Sequence, residues 1–208
     1  MVAEALALIG VALLVFVLLV TIYVATSRYK LAPSDQILVV YGNVKDKGSA
    51  ACYHGGGKIV WPLIQHYAYL NLKPMTISID LEHALSQQNI RINVPSTFTI
   101  GISTQPSVMQ NAAERLLGLE QGPIEDMAKE IIFGQLRLTV ASLTIEQINQ
   151  DREAFLEKVS TNVDTELHKI GLYLINVNIT DITDEADYIA SIGAKAAAVA
   201  LADATVDR

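Results

Sequence analysis

The order of apolar patterns along the chain predicts an α+β fold that follows one membrane-length helix. Residues 5–27 contain no charged side chain. Behind this run, side chains first alternate with period two, as in half-buried strands, and then switch to the helical period before one last strand returns. Strands first, helices next and a single strand at the end are typical of α+β rather than of a doubly wound sheet.

The apolar run is long enough to cross a bilayer, because a spanning helix needs about 20 apolar residues. A cleaved signal peptide and a buried core helix are the alternatives. The first four residues are acidic rather than basic, and core helices are seldom uncharged for so long. We therefore expect a retained membrane anchor, with no second span behind it. Its aliphatic centre consists of Leu13, Leu14, Val15, Phe16, Val17, Leu18, Leu19 and Val20.

Two basic residues, Arg28 and Lys30, follow the run directly. Positively charged flanks stay on the cytoplasmic side of a membrane. The sequence thus predicts an outward-facing N-terminus and a cytoplasmic location for residues 31–208. Tyr23 and Tyr29 fit an aromatic belt at that interface.

Composition excludes several classes of partner. The 208 residues carry a net charge of −7, which argues against nucleic acid as a partner. The same charge argues against peripheral binding to anionic lipid, apart from the local pair Arg28 and Lys30. Cys52 is the single cysteine, so no intrachain disulfide forms, and a reducing compartment fits. An inert Cys52 is favoured over an acylated one.

Alternating patterns predict strands, and Pro95 marks a bulge or an edge in the longest of them. The predicted strands span residues 34–41, 58–61, 67–72, 75–81, 89–103 and 172–180. In the fourth, Met75, Ile77, Ile79 and Leu81 form one face. In the last, Tyr173, Ile175, Val177 and Ile179 form the apolar face.

Helical periodicity predicts three helices, at residues 106–118, 123–138 and 144–171. Thr144 and Gln147 form a capping box at the start of the third helix, and Gly171 is its natural C-cap. The buried face expected for the first helix is Val108, Met109, Ala112, Ala113, Leu116 and Leu117. The face expected for the second is Ile124, Met127, Ile131 and Leu138. The face expected for the third is Phe155, Val159, Val163, Leu167 and Ile170.

An Ala-rich helix is predicted from residue 184 to the end of the sequence. Its apolar positions fall at spacings of three, four, three and seven, an a/d pattern over about two and a half heptads. A plain amphipathic helix that packs on its own domain is the alternative. A helix that buries mainly Ala gains little alone, so we expect association with further copies. The predicted oligomerisation residues are Ile189, Ile192, Ala196, Val199 and Val206.

No catalytic residues, cofactor-binding residues or metal ligands are expected. The run Gly55-Gly56-Gly57-Lys58 lacks phosphate-loop spacing and is followed by a strand, so a turn is predicted. His54, His66, His83 and His168 are scattered without metal-ligand spacing.

Three motifs in this order resemble the SPFH or band-7 group, and most closely the flotillins. They are residues 55–65 (GGGKIVWPLIQ), residues 143–148 (LTIEQI) with Asp151-Arg152 behind, and residues 181–193 (DITDEADYIASIG). The resemblance covers about residue 33 to the end. Behind the membrane anchor that the apolar run predicts at residues 1–30, it implies a β-rich SPFH1 module at 31–85, an α/β SPFH2 module at 86–183 and the start of a coiled coil at 184–208.

The resemblance also implies a function. It implies a non-enzymatic membrane-microdomain scaffold, without a cofactor, that forms large homo-oligomeric rings or cages on the membrane. The partners are then membrane lipid, further copies of the chain and membrane client proteins. The alternative is a regulator that encloses or controls a membrane protease; an enzyme ranks third. Flotillins usually carry a longer coiled coil than the 25 residues present here, and many eukaryotic ones use lipid attachment in place of the span.

Overall fold

The computed structural model describes residues 2–43 and 50–184, together with residues 188, 191, 193 and 198; side chains of the first helix are described from Ile9 onward. Contacts divide the chain into two compact units, Met1–Leu72 and Lys73–Arg208. The predicted modules divide later, at 85/86. The strand before residue 86 pairs within the second unit. The assignment of the two modules stays a prediction.

The predicted α+β class is confirmed by the described elements. The helices are α1 (Val2–Arg28), α2 (Pro106–Arg115), α3 (Gln121–Ala141), α4 (Ile145–Gln150) and α5 (Arg152–Ile170). The strands are β1 (Tyr29–Leu31), β2 (Gln36–Gly42), β3 (Ala50–His54), β4 (Gly57–Ile59), β5 (Gln65–Asn71), β6 (Met75–Leu85), β7 (Arg91–Ile102), β8 (Leu172–Ile179) and β9 (Thr183–Asp184).

The first unit joins α1 to two small antiparallel sheets. One pairs β1 with β4, and the other places β2 between β3 and β5. Leu38, Val40 and Val60 meet in the core of this unit, with Tyr53 packed against them. Gly55 and Gly56 take φ values of +75° and +78° between β3 and β4, which confirms the predicted turn.

The second unit is an antiparallel sheet in the order β6-β7-β8, with β9 also paired to β7. The predicted face of β6 is confirmed, because Met75, Ile77, Ile79 and Leu81 are all buried. Helices α3 and α5 pack on β6 and β8 respectively and against each other, while α2 packs on α5. The helices therefore form one layer over the sheet, with the core between them.

Pro95 lies in the central strand β7, opposite Asp80 of β6. On its other side the carbonyl of Pro95 accepts from the backbone amide of Thr180 at 3.0 Å, just after β8 ends. The pairing of β7 with β9 begins only at Asn93. The prediction of a bulge or an edge strand is therefore wrong. Pro95 is tolerated in a central strand because it lies between the last β8 pair, at Ser96, and the first β9 pair, at Asn93.

Most helical predictions are confirmed. Thr144 and Gln147 form both hydrogen bonds of the capping box, and Gly171 ends α5 with a φ of +92°. The predicted face of α5 is buried in full, and that of α2 is buried except for the half-buried Leu117.

The predicted buried face of α3 is wrong beyond Ile124. Leu138 is 65% exposed, and Met127 and Ile131 are only half-buried. The buried side chains are instead Ile124, Ala128, Ile132, Leu136, Thr139 and Val140. Two neighbouring apolar stripes both satisfy helical spacing, and packing against β6 and α5 selects the stripe that passes through the small Ala128.

The single helix predicted for residues 144–171 is also wrong, because it breaks at Asp151. This residue takes φ −121° and ψ 72°, and its carboxylate accepts from the backbone amide of Ala154 at 3.0 Å. The side chain of Asp151 thereby offers α5 an N-cap of its own, which competes with a continuous helix.

The apolar face predicted for β8 holds only in its second half. The pairing with β7 shifts between Asn176 and Leu174, so Ile175 is an additional, bulged residue. A bulge reverses the alternation of side chains. Tyr173 and Ile175 are consequently exposed, whereas Leu172 is buried.

A comparison of two glycines tests the packing of α5 on α2. A Cβ atom at Gly171 would overlap the backbone of Ala112, whereas a Cβ at Gly118 meets nothing, although its φ of +82° is similar. We expect Gly171→Ala to lower the free energy of unfolding by about 2–5 kcal/mol and Gly118→Ala by only about 1–2 kcal/mol. Denaturant unfolding of the full chain in detergent measures both values, and equal losses would contradict the close approach.

Candidate membrane-anchoring and tail-attachment sites

Every described side chain of α1 is exposed, including the aliphatic centre predicted from the sequence; Leu14, for example, is 67% exposed. Ile9–Arg28 is the one segment among the described residues that is long and apolar enough to span a membrane. Its twenty residues rise about 30 Å, the thickness of the hydrocarbon core. Length and surface therefore both suit a spanning helix, although a signal sequence would pass the same test.

The aliphatic hydroxyl groups of α1 are satisfied within the helix. Thr21 Oγ1 donates to the carbonyl of Val17 at 2.6 Å, and Thr26 Oγ1 donates to that of Ile22 at 3.0 Å. Ser27 Oγ donates to the carbonyl of Val24 at 3.0 Å. No solvent is needed to pair these groups, so they carry little penalty in hydrocarbon.

The helix α1 passes into the first sheet without a linker. It ends at Arg28, and β1 begins at Tyr29. The carbonyl of Arg28 accepts from the backbone amide of Val60 at 3.1 Å, which attaches the end of β4 to the end of the helix. The two sheets of the first unit therefore follow directly on the end of α1.

A cleft of about 240 Å³ lies at this junction and receives both predicted flanking residues, Arg28 and Lys30. The ammonium group of Lys30 lies 5.0 Å from the ring centre of Tyr67. The rings of Tyr41 and His66 stack at 5.7 Å. Sequence reasoning missed these three rings, because the register between β2 and β5 brings them to the cleft and no local pattern encodes that register.

An apolar turn is exposed beside the cleft. Trp61 is 63%, Leu63 93% and Ile64 53% exposed. The turn is well ordered, since the carbonyl of Trp61 accepts from the amide of Gln65 at 2.8 Å, and the side chain of Gln65 accepts from the amide of Trp61 at 3.2 Å. A fixed group of exposed large apolar side chains next to a spanning helix suits contact with lipid.

A second site attaches the start of the C-terminal helix to α4. The hydroxyl of Tyr188 donates to Glu146 Oε1 at 2.9 Å, and Gln88 Nε2 donates to Glu146 Oε2 at 3.0 Å. The backbone amide of Tyr188 donates to the carboxylate of Asp184. The five predicted oligomerisation residues beyond this point lie outside the described residues, so their role stays a prediction.

Hydrogen bonds at this attachment shift two pKa values in opposite directions. The backbone amide of Glu146, followed by the hydroxyl of Tyr188, lowers the pKa of the Glu146 carboxyl below its usual 4.5. The neighbouring carboxylate raises the pKa of Tyr188 above its usual 10.0. The hydrogen bond between them needs a protonated Tyr188 as the donor and is strongest when Glu146 is charged.

Within the part of the chain that the structure describes, no three His, Cys, Asp or Glu side chains lie close enough to hold a metal ion. The histidines stay apart, and His168 Nε2 lies 3.4 Å from the carboxylate of Asp164. Cys52 is half-buried in β3, opposite Val39. The expectation of a non-catalytic protein stays an expectation.

The fold and the junction define an α+β protein whose candidate anchor, α1, leads directly into a β-rich unit. The family model described as "SPFH domain / Band 7 family" matches residues 30–208, and the chain belongs to that family.

The similarity of the chain to flotillins agrees with the three motifs found in its sequence. The chain is 27% identical over 195 residues to "Flotillin-like protein FloT" of Bacillus subtilis (strain 168), which covers 89% of this chain and 38% of that protein. It is 26% identical over 172 residues to "Flotillin-2" of Homo sapiens, covering 83% and 40% respectively. Similarity to "Flotillin-1" of Drosophila melanogaster is 27% over 165 residues, covering 76% and 39%. The chain thus spans about two fifths of the length of these relatives.

The tail attachment should depend on pH in a defined direction. Because the pKa of Glu146 is lowered on folding, its contribution is present above the usual value of 4.5 and is lost as pH falls through the folded value. Because the pKa of Tyr188 is raised, its contribution is present below 10.0 and is lost as pH rises through the folded value.

Hydrogen exchange around residue 188, corrected for intrinsic rates, measures this dependence. We expect protection to fall by about threefold between pH 6 and pH 3, a modest change because the pair is partly exposed. Tyr188→Phe is the control, since it keeps the ring but removes the donor. If the variant showed the same pH dependence as the unmodified chain, Glu146 would not be the cause.

Proposed function

We propose that the chain is the membrane-anchored part of a non-enzymatic scaffold that assembles into a ring or cage on the cytoplasmic face of a cell membrane. The observation that carries this proposal is the uncovered apolar helix α1, which enters the first unit without a linker. Membership of the SPFH domain / Band 7 family supports it. Membrane lipid and further copies of the chain are the partners.

The charged flank of α1 supports the cytoplasmic orientation. Arg28 and Lys30 line one cleft at the end of the span, and retention of positive charge on the cytoplasmic side orients the helix with its N-terminus outward. The exposed turn at Trp61 adds a second contact with the same interface, because indole rings favour the headgroup region.

The a/d pattern of the C-terminal helix supports self-assembly. Once two copies associate through their tails, insertion of the second anchor becomes intramolecular, and many weak contacts then hold one patch of bilayer. A scaffold of this kind needs anchors, a spacer and an association surface. In this proposal, the predicted oligomerisation residues in the segment after Tyr188 supply the association surface.

Introduction of negative charge at the predicted a/d positions of the tail tests self-assembly. We expect Ile192→Asp combined with Val199→Asp to disperse the oligomer while leaving the protein in the membrane, because two buried carboxylates oppose helix association. Ala194→Asp combined with Ala198→Asp adds the same charge outside the a/d positions and should leave assembly intact. Electron microscopy and native mass in mild detergent measure the outcome. Intact rings in the first variant would refute the role of the tail.

Protease protection tests the orientation. In sealed vesicles of known sidedness, we expect residues 31–208 to be digested only when the protease reaches the cytoplasmic face. Arg28→Gln combined with Lys30→Gln should produce a mixed orientation, since it removes the positive flank. Lys129→Gln combined with Arg137→Gln removes equal charge from α3 and serves as the control. Digestion of the unmodified chain from the opposite face would overturn the proposal.

A further inference from the structure

We propose that the cleft at the end of α1 is a binding site for the phosphate of an anionic phospholipid headgroup. This inference rests on the proposed membrane anchoring, because the cleft meets lipid only if α1 lies in a bilayer. It goes further in assigning one lipid class and one set of residues. The polar lining consists of Ser27, Arg28, Lys30, Tyr41, Gln65, His66 and Tyr67.

The charge of the cleft has the opposite sign to that of the whole chain. The chain carries a net charge of −7, yet both fully charged residues found at the cleft in the described part of the chain are basic, and no acidic residue of that part lines it. None of the ion pairs among the described residues involves Arg28 or Lys30. Two cations without an acidic partner among the described residues, next to the end of the proposed spanning helix, favour an anionic ligand at the level of the headgroups.

The wall of the cleft positions one of the two cations. Lys30 is held over the ring of Tyr67, and the hydroxyl of the neighbouring Tyr69 donates to the carbonyl of Leu31 at 3.1 Å. That hydrogen bond ties β5 to the residue after Lys30. A positioned ammonium binds a phosphate with less loss of side-chain entropy than one on a free surface stem.

The size and the rim of the cleft decide between ligand classes. Its volume of about 240 Å³ is below the range of about 300–1,000 Å³ that is usual for drug-sized ligands and cofactors. The volume suits a headgroup better than a cofactor. The turn with Trp61, Leu63 and Ile64 stands at the rim, where acyl chains of a bound lipid would lie against apolar side chains.

Trp61 provides the measurement, because it is the only tryptophan in the chain. The full chain is reconstituted in bilayers of phosphatidylcholine and phosphatidylglycerol, in which one lipid at a time carries brominated acyl chains. Quenching of Trp61 by each lipid gives the relative association of the two lipids at this position. Both leaflets have the same composition, so the orientation of the protein does not affect the result.

We expect phosphatidylglycerol to be preferred by roughly 5- to 25-fold, since each basic residue near an anionic headgroup contributes about fivefold. Arg28→Gln combined with Lys30→Gln should bring the ratio close to one. Lys129→Gln combined with Arg137→Gln removes the same charge from α3 and should leave the ratio unchanged. An unmodified chain that shows no preference would overturn the site.

Two further experiments distinguish a lipid headgroup site from diffuse surface charge and from a site for free phosphate. Tyr67→Leu keeps both cations but removes the ring beneath Lys30, and we expect it to lower the ratio severalfold. An unchanged ratio would assign the preference to diffuse charge and overturn the site. Inorganic phosphate, compared with chloride at equal ionic strength, should leave the ratio unchanged, and displacement would overturn the assignment to lipid.

Failure of this inference is distinguishable from failure of the proposed function. If both brominated lipids quench Trp61 equally, the protein is in the membrane and only the headgroup site is wrong. If neither lipid quenches Trp61, the membrane contact of the first unit is itself contradicted.

Discussion

The direct passage from α1 to β1 is the constraint on which the first unit depends. With no residue between Arg28 and Tyr29, the depth of the helix in a bilayer also sets the depth of the sheet. The antiparallel pairing of β1 with β4 and the hydrogen bond from Val60 to Arg28 leave little freedom at the junction. Basic and aromatic side chains far apart in the sequence therefore meet at one level, because the helix end and the strand register place them there.

The second unit is organised around the corner between α4 and α5. Asp151 ends the first helix and caps the second, while the guanidinium group of Arg152 donates to the carbonyls of Ile179 and Thr180 at 3.0 and 2.6 Å. These carbonyls lie where β8 ends. Charge-assisted hydrogen bonds at that point satisfy acceptors that the ladder leaves open. The attachment of Tyr188 to Glu146 lies on the neighbouring α4, so the start of the C-terminal helix depends on the same corner.

Local periodicity predicted most elements, and its errors share one cause. The faces of β6 and α5 followed from spacing alone, because each carries a single apolar stripe. On α3 two stripes compete, and the choice depends on partners distant in the sequence. The bulge at Ile175 depends on the register with β7, and the break at Asp151 depends on a local hydrogen bond; no apolar period encodes either. Of the anchoring site, composition predicted Arg28 and Lys30, but the rings around them required the register of β2 on β5.

In the proposed scaffold, a modest lipid preference would gain selectivity through assembly. One cleft with two cations discriminates weakly, but copies joined by their tails would present many clefts to one patch of bilayer, and their preferences would combine. The net charge of −7 opposes attraction of the rest of the chain to anionic headgroups, so in this proposal the basic pair at the end of α1 would orient the first unit. Binding linkage is reciprocal. If assembly enriches anionic lipid beneath it, anionic lipid must favour assembly to the same extent, so the composition of the bilayer becomes a control on the size of the scaffold.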